Sequence, residues 1–292
     1  MFILEMLKAI LFGIVEGVTE WLPVSSTGHL ILLDEFLKLN VYADPIKNGD
    51  FMEMFNVVIQ LGAIMAVVLL FFHKLNPFSP KKSEKQKAKT WQLWAKVVVA
   101  VLPSAVLGFL FDDLMDNLFY NGIVVAITLI GYGVAFIIME EKNKKKEFKI
   151  RNVNEIDYRT ALLIGAFQCL SLIPGTSRSG STILGAIILG VSRPAGAEFS
   201  FFLAIPTMLG ASFLKMVKFL LGGTGLSFTA LAALFVGCVI SFVVSVLVIR
   251  ALMDFVRKRS FAAFGFYRIG LGIVVIIYFA IKTVVGIVSA IA

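Results

Sequence analysis

A cluster of ionisable and hydroxyl side chains interrupts an apolar stretch near the start of the chain. Residues 16–29 read EGVTEWLPVSSTGH, in a sequence that is 59% hydrophobic with a mean hydropathy of +0.91. Glu16 and Glu20 are four residues apart, so on a helix they share a face and can reach one metal ion or water. A charged residue at membrane depth costs about 2.5–3.5 kcal/mol. We therefore predict a functional role for the two glutamates. The alternative is a pair at the membrane interface whose side chains extend to water.

Ser26 and His29 follow in the same segment, at a spacing that lets an imidazole accept a hydroxyl proton or orient an attacking water. Ser25, Ser26 and Thr27 have a competing role as N-caps of the helix that comes next. His29 is harder to explain structurally, because the chain has two histidines and the other, His73, heads a lysine-rich loop. The segment thus predicts an activated hydroxyl or an activated water.

A second polar segment, IPGTSRSGST at residues 173–182, centres on Arg178. An arginine beside hydroxyls and free helix N–H groups makes a phosphate cradle. The alternative is a structural arginine bonded to carbonyls of the opposite segment. Together the two motifs supply an acid pair, a hydroxyl with a possible base and an anion clamp, and this set suits phosphoryl transfer.

The elements that must hold these motifs are membrane helices. A helix needs about 20 apolar residues to cross a hydrocarbon core of about 30 Å. Six segments are long enough, and they lie at about 51–72, 91–110, 121–139, 197–220, 227–253 and 262–290. Two more, about 3–38 and 158–191, are each broken near the middle by one of the motifs. The arm from Gly28 to Lys38 would be about 16 Å long as a helix, so we predict two re-entrant hairpins whose tips lie inside the membrane and are covered by the spans.

The two halves of the chain resemble each other. GIVEGVTEWLPVSSTGHLIL at 13–32 aligns with GAFQCLSLIPGTSRSGSTIL at 165–184, and EMFNVVIQLGAI at 53–64 aligns with AEFSFFLAIPTM at 197–208. Each half has one hairpin and three spans, and because three is odd the second half must be inserted upside down. The prediction is an all-α integral membrane protein with an inverted-topology repeat, whose hairpins meet near the midplane in a shared site.

The chain is predicted to be one polytopic membrane domain, residues 1–292. The first repeat covers about 1–139, the second about 157–290, and 140–156 is a basic cytoplasmic linker.

The net charge of +8 comes from cations in short loops between the apolar segments. This is the positive-inside pattern, which predicts that these loops are cytoplasmic. The partner is therefore the lipid bilayer and not nucleic acid. The first hairpin then enters from outside, and the acidic loop of Asp112, Asp113 and Asp116 and both termini lie outside.

EGVTEWLPVSSTGH and PGTSRSGST resemble the two signature motifs of the undecaprenyl-diphosphate phosphatase family, the bacitracin-resistance type of bacterial inner-membrane enzymes. The similarity in layout runs over essentially the whole chain, with no departure in either motif. The resemblance implies removal of the terminal phosphate from a C55 polyprenyl diphosphate, which regenerates the carrier lipid for cell-wall synthesis. It also implies a site in the cytoplasmic membrane that is accessible from the outer face.

The resemblance assigns roles to individual residues. Glu16 and Glu20 become acidic residues that hold a divalent metal ion, Mg²⁺ or Ca²⁺, while Ser26 is the nucleophile, His29 its base and Arg178 a phosphate ligand. The predicted substrate-binding residues are Ser25, Thr27, Ser177, Ser179, Gly180 and Thr182. Whether Ser26 forms a phosphoenzyme or a water attacks directly stays open at this point, as do the ion and the oligomeric state.

Other functions fit parts of the same pattern. The chief alternative is a transporter or flippase of polyprenyl phosphate or another anion, since inverted repeats with broken helices are a transporter plan. A transporter needs an anion-binding group such as Arg178, but it has no need of a hydroxyl beside a base. The group of Glu16, Glu20, Ser26 and His29 therefore distinguishes the enzyme from the transporter. The acid-phosphatase family of lipid phosphatases is excluded, because it needs a second histidine after its arginine motif and none follows Arg178. A purely structural scaffold leaves the polar cluster unexplained.

Overall fold

The chain is almost entirely helical. In this computed structural model the backbone is described for residues 2–119, 122–144, 147–223 and 225–291, and the side chains at 112–113, 115–117 and 285–291 are outside the described set. The described residues contain no strand beyond an isolated bridge between Ile150 and Val191. The helices are α1 (Phe2–Thr19), α2 (Ser26–Phe36), α3 (Pro45–Val58), α4 (Gln60–Leu70), α5 (Phe72–Leu75), α6 (Glu84–Phe119), α7 (Gly122–Asn143), α8 (Tyr158–Cys169), α9 (Arg178–Ile188), α10 (Arg193–Leu221), α11 (Phe228–Lys258) and α12 (Ala262–Ile291).

Six helical segments are long and apolar enough to cross a membrane, and each overlaps one of the six predicted spans. They are Pro45–Leu70, Glu84–Phe111, Gly122–Asn143, Arg193–Leu221, Phe228–Lys258 and Ala262–Val284. The first combines α3 and α4. The prediction of an all-helical protein with six spans is confirmed.

The two interrupted segments each fold as a pair of helices. Hairpin 1 is α1 and α2, joined by the first tip, residues 20–26, and hairpin 2 is α8 and α9, joined by the second tip, residues 170–178. Three of the four arms have 11 or 12 residues, about 16–18 Å at 1.5 Å per residue. The short arm predicted at Gly28–Lys38 corresponds to α2, whereas the fourth arm, α1, is longer, with 18 residues.

The two tips share an unusual local geometry. Ser25 has φ +76° and Ser177 has φ +73°, and these are the positive-φ residues other than glycine in the described chain. The Oγ of Ser25 accepts from Gly28 N at 3.2 Å, and the Oγ of Ser177 accepts from Gly180 N at 3.1 Å. Both serines therefore cap the returning helix in the same way, as the predicted repeat requires.

Each hairpin packs against the second span of the other half of the chain, since α1 lies on α11 and α8 lies on α6. Glycines permit the close approach. A Cβ at Gly13 would lie 2.7 Å from Gly237 O, and a Cβ at Gly165, the aligned position, would lie 2.0 Å from Ala100 O. Small residues of this kind let helix backbones approach each other in membranes. The hairpins are thus held inside the bundle by helices from the opposite half.

One connecting segment differs from its prediction. The acidic segment of Asp112, Asp113 and Asp116 is predicted as a loop, but the backbone continues as helix α6 to Phe119, and the three side chains are outside the described residues. In the predicted linker, residues 145–146 are also outside the described set. Glu140, at its start, is buried, pairs with Arg193 and accepts from Phe261 N. The membrane faces assigned to the loops stay predictions.

Candidate active site

The two tips meet in the interior of the bundle. The Oγ of Ser179, at the start of α9, donates to Glu20 O at 2.9 Å and to Leu22 O at 3.2 Å. Both acceptors belong to the first tip, and Ser179 is buried. The contact confirms that the two broken segments meet at their tips, while the re-entrant insertion of the hairpins and the inverted repeat stay predictions.

Glu20 joins the key groups of the two tips. Its Oε1 accepts from Arg178 Nη2 at 3.0 Å and from Arg178 Nε at 3.3 Å. Its Oε2 accepts from Ser26 Oγ at 2.7 Å. Glu20 is 4% exposed, so this acid, hydroxyl and guanidinium form one buried group. A carboxylate that accepts from an arginine through two nitrogens is held in a defined orientation.

Glu16 lies one helical turn before Glu20, whose N–H donates to Glu16 O at 3.0 Å. Glu16 is fully buried, and neither carboxylate oxygen has a hydrogen-bond partner among the described residues. A buried carboxylate with no partner is costly unless it gains a proton or a cation. The described residues hold no cluster of three or more metal-ligating side chains, and the binding of a divalent ion by Glu16 and Glu20 stays a prediction.

Arg178 is fixed from its other side by α10. Its Nη1 donates to Ser200 O at 2.7 Å and reaches Ser200 Oγ at 3.4 Å. Its guanidinium carbon lies 5.8 Å from the centroid of the buried Trp21 ring, within the range of a cation–π contact. Ser200 and Trp21 are not among the site residues predicted from the sequence. These contacts hold the guanidinium at the junction of the two tips.

His29 is not bonded to Ser26. Its Nδ1 lies 2.7 Å from Ser25 O, and its Nε2 lies 2.7 Å from the hydroxyl of Tyr267. A carbonyl can only accept, so Nδ1 carries the proton, and in the neutral ring Nε2 accepts from Tyr267. The two rings are parallel, with centroids 5.7 Å apart. The structure therefore pairs Ser26 with Glu20 and not with His29, and the role of His29 as a base stays a prediction.

The predicted substrate-binding hydroxyls mostly hold the backbone of the tips. Ser25 and Ser177 cap helices, and Ser179 links the tips. Thr182 donates from Oγ1 to Arg178 O at 2.9 Å and lies 2.6 Å from Ser200 Oγ. Their contacts in this structure are internal, and their predicted contacts with substrate stay predictions. Gly180 contributes its N–H to the cap of Ser177.

Arg268 is a residue of this region that the sequence analysis missed. It is fully buried in α12 and donates from Nη1 to Pro23 O at 3.1 Å. Its Nη2 donates to Gly175 O at 2.8 Å and to Thr176 O at 3.0 Å. For Arg178, the alternative to a phosphate ligand is a structural arginine bonded to backbone carbonyls of the other tip. In this structure Arg268, which lies on α12, bonds carbonyls of both tips. Its signal was a lone arginine inside an apolar span.

A cavity of about 570 Å³ lies beside the tips. Thr27 of hairpin 1 and Pro174 of hairpin 2 both line it, and so do apolar side chains of α6 and α10, such as Phe109 and Phe213. Of the predicted site residues, Thr27 is the one among its lining residues. Polar side chains such as Gln60 and Gln168 also line the cavity, and Glu20, Ser26 and Arg178 are not part of its wall.

Comparison with known proteins identifies the family. The family described as Bacitracin resistance protein BacA matches residues 9–274. The chain belongs to the BacA family. This BacA chain is similar to the undecaprenyl-diphosphatase of Enterococcus faecalis, with 57% identity over 93% of this chain and 96% of that protein. It is also similar to the undecaprenyl-diphosphatase of Limosilactobacillus fermentum, with 56% identity over 95% of this chain and 99% of the other, and to undecaprenyl-diphosphatase 1 of Clostridioides difficile, with 56% identity over 95% and 97%.

Proposed function

We propose that this BacA-family chain is a membrane-embedded undecaprenyl-diphosphatase. It hydrolyses the C55 polyprenyl diphosphate to the monophosphate and inorganic phosphate, recycles the carrier lipid for cell-wall synthesis and gives bacitracin resistance. Relatives with that name are 51–57% identical over 93–98% of the chain. The observation that carries the proposal is the buried group of Glu20, Ser26 and Arg178 at the meeting point of the tips.

The substrate diphosphate is anionic, and the junction of the tips favours an anion. Helices α2 and α9 both begin there, and helix N-termini offer free N–H groups and a positive dipole end. Arg178 is held by Glu20 in this structure. A phosphate that binds the guanidinium takes the place of the Glu20 carboxylate, because both are acceptors for the same N–H groups. Substrate binding then releases Glu20 for proton transfer.

The reaction breaks the bond between the terminal phosphorus and the bridging oxygen. In one route Ser26 Oγ attacks that phosphorus, its proton passes to Glu20 Oε2, and water later hydrolyses the phosphoserine. In the other, water attacks directly and gives its proton to Glu20. Each route consumes one water and yields the monophosphate and phosphate, and Glu20 then passes its proton to a product phosphate or to solvent, which restores the carboxylate. The 2.7 Å bond from Ser26 to Glu20 supports Glu20 as the proton acceptor. His29 is proposed to act as a base or to orient water once substrate displaces its bond to the Tyr267 hydroxyl.

Glu16 and Glu20 are the residues that would hold a divalent ion, Mg²⁺ or Ca²⁺. When bound, the ion neutralises charge on the phosphate oxygens as the leaving group departs. The unpartnered oxygens of Glu16 support this assignment, because carboxylates together with substrate phosphates are typical ligands of these ions. Glu16 itself then has a stabilising partner in the loaded enzyme.

The polyprenyl tail is proposed to lie in the cavity beside the tips and to leave sideways into the lipid. Its walls carry Leu172 and Leu214 besides the two phenylalanines already named, and an apolar chain gains from leaving water for such a surface. We place the protein in the bacterial cytoplasmic membrane, with the site accessible from the outer face. The basic loops support this orientation.

The test is phosphate release by purified protein from a polyprenyl diphosphate, with and without a chelator. The proposal predicts turnover that a chelator abolishes and that added Mg²⁺ or Ca²⁺ restores. An Arg178→Ala protein, folded and assayed in parallel, controls for contaminating phosphatase. Failure to release phosphate with any divalent ion would reject the enzyme and favour a transporter of the same lipid.

A further inference from the structure

Arg268 makes an unusual set of contacts for a buried arginine. Besides its bonds to Pro23 O, Gly175 O and Thr176 O, it reaches Leu129 O at 3.4 Å and Thr128 O at 3.5 Å. Every hydrogen-bond acceptor is a backbone carbonyl. Among the described residues Arg268 forms no ion pair, and its guanidinium lies 5.3 Å from the centroid of the Tyr132 ring. The charge is therefore balanced by carbonyl dipoles and an aromatic face.

These carbonyls belong to three different parts of the fold. Thr128 and Leu129 are in α7, Pro23 is in the first tip, and Gly175 and Thr176 are in the second tip. Irregular backbone inside a membrane must be hydrogen-bonded within the protein, since lipid offers no partner. One guanidinium supplies donors to both tips at once. Its planar fork of five N–H groups suits this task, whereas the ammonium of a lysine is a point donor.

The repeat by itself does not require an arginine here. Helices α7 and α12 cross at Gly133 and Gly265, where a Cβ on either glycine would lie 2.7 Å from the carbonyl oxygen of the other. Three residues beyond each crossing glycine stand Phe136 and Arg268, and both are fully buried. Phe136 shows that a buried position three residues beyond this crossing can be filled by an apolar side chain. Arg268 has a purpose that packing alone does not explain.

We propose that Arg268 is a positioning residue that sets the spacing of the two tips. It acts through the backbone, and it fixes the position of Arg178 on the second tip relative to Glu20 and Ser26 on the first. This inference rests on the proposed phosphatase function, because its kinetic consequence is the alignment of these three groups on the terminal phosphate. A misplacement of about 1 Å can cost about 100-fold in rate.

The kinetic test compares Arg268→Gln and Arg268→Lys with wild-type protein. Arg268→Gln is expected to lower kcat by about 100-fold or more while KM changes by less than about 3-fold, since alignment in the transition state is lost while binding groups remain. Arg268→Lys should recover part of the rate. The matched control is Arg193→Gln, which removes a partly buried ion pair with Glu140 and should reduce thermal stability without changing kcat per folded molecule.

A second measurement reads tip spacing without any substrate. Cysteines at Thr27 and Leu172 place one thiol on each hairpin, both at the wall of the cavity, in a background lacking Cys169 and Cys238. With Arg268 present, a short bifunctional thiol reagent should link them in most molecules. With Arg268→Gln the short link should fall at least several-fold, while a longer reagent still links. The Arg193→Gln background should give the wild-type pattern.

These outcomes separate the inference from the proposed function. If wild-type protein releases no phosphate, the function fails, and the cross-link still decides whether Arg268 sets tip spacing. Wild-type kcat per folded molecule and unchanged cross-linking in Arg268→Gln would overturn the inference. Where Arg268→Gln yields no folded protein, Arg268→Lys decides, because full kcat in that variant would show that the guanidinium fork is dispensable.

Discussion

The hydroxyl of Ser26 donates to Oε2 of Glu20 at 2.7 Å, while Oε1 of the same carboxylate accepts from Arg178. Glu20 therefore stands between the predicted nucleophile and the predicted phosphate ligand. This arrangement gives a physical order of events. In the proposed mechanism, phosphate that binds Arg178 weakens the hold of Arg178 on Glu20, and the freed carboxylate becomes a better acceptor for the proton of Ser26 or of water.

Ser26→Ala distinguishes the two chemical routes. If Ser26 is the nucleophile, the variant should lose at least about 1,000-fold in kcat, since the covalent route is closed. Turnover of a few per cent or more would identify direct attack by water. The measurement is phosphate release by folded protein, and Ser83→Ala, an exposed serine in the loop before α6, serves as the unaffected control.

The sequence predicts a large part of this architecture. Hydropathy identifies the six spans and the two broken segments, because the requirement for apolar residues in lipid is strict. Counting spans in each half then predicts that the tips meet, which Ser179 and Glu20 confirm. The motifs also contain the acid, the hydroxyl and the arginine that the structure brings together.

The remaining contacts depend on packing between distant segments. Ser26 bonds Glu20 because the first tip folds back over the end of α1, and the spacing of residues 26 and 29 does not reveal that contact. Tyr267 and Arg268 reach the site from α12, more than two hundred residues from hairpin 1 in sequence. The sequence around Tyr267 and Arg268 is that of an ordinary membrane-spanning helix. The one indication of a functional role is the charge of Arg268 inside an apolar span.

Tyr267→Phe tests the hydrogen bond to His29. The variant keeps the parallel ring but removes the hydroxyl that lies 2.7 Å from Nε2. We expect kcat to fall about 10-fold with little change in stability, because the imidazole keeps its place and loses one orienting bond. Tyr278→Phe removes a hydroxyl bonded to Glu35 near the far end of α2 and should keep full kcat. Equal kcat in the two variants would show that the role of His29 does not depend on the Tyr267 hydroxyl.

The orientation in the membrane is tested by cysteine labelling. Ser83→Cys lies in the lysine-rich loop before α6 and Ala43→Cys in the loop before α3, and both positions are exposed. In a background lacking Cys169 and Cys238, an impermeant thiol reagent should label Ala43→Cys in intact cells and Ser83→Cys only after the membrane is opened. The reverse pattern would invert the proposed orientation and move the opening of the site to the cytoplasm.

Gly165→Ala tests the packing that holds hairpin 2. The new Cβ would meet Ala100 O at 2.0 Å, so α8 and α6 must move apart. Overpacking of this kind costs about 1–3 kcal/mol, and the thermal midpoint of the detergent-solubilised protein should fall. Gly131→Ala, where a Cβ meets nothing within 4 Å, is the matched control. Equal midpoints for the two variants would show that the α6 and α8 backbones are not in close contact.

The most direct test of the shared site is a double-mutant cycle between Glu20 and Arg178, one residue from each hairpin. Phosphate release is measured for Glu20→Gln, Arg178→Ala and the combined variant, with folding checked by thermal unfolding. Each single change should lower kcat by about 100-fold or more. Because the two groups act as a unit, the double variant should be little slower than the slower single variant. Losses that multiply in the double variant would contradict the account, since Glu20 and Arg178 would then act independently.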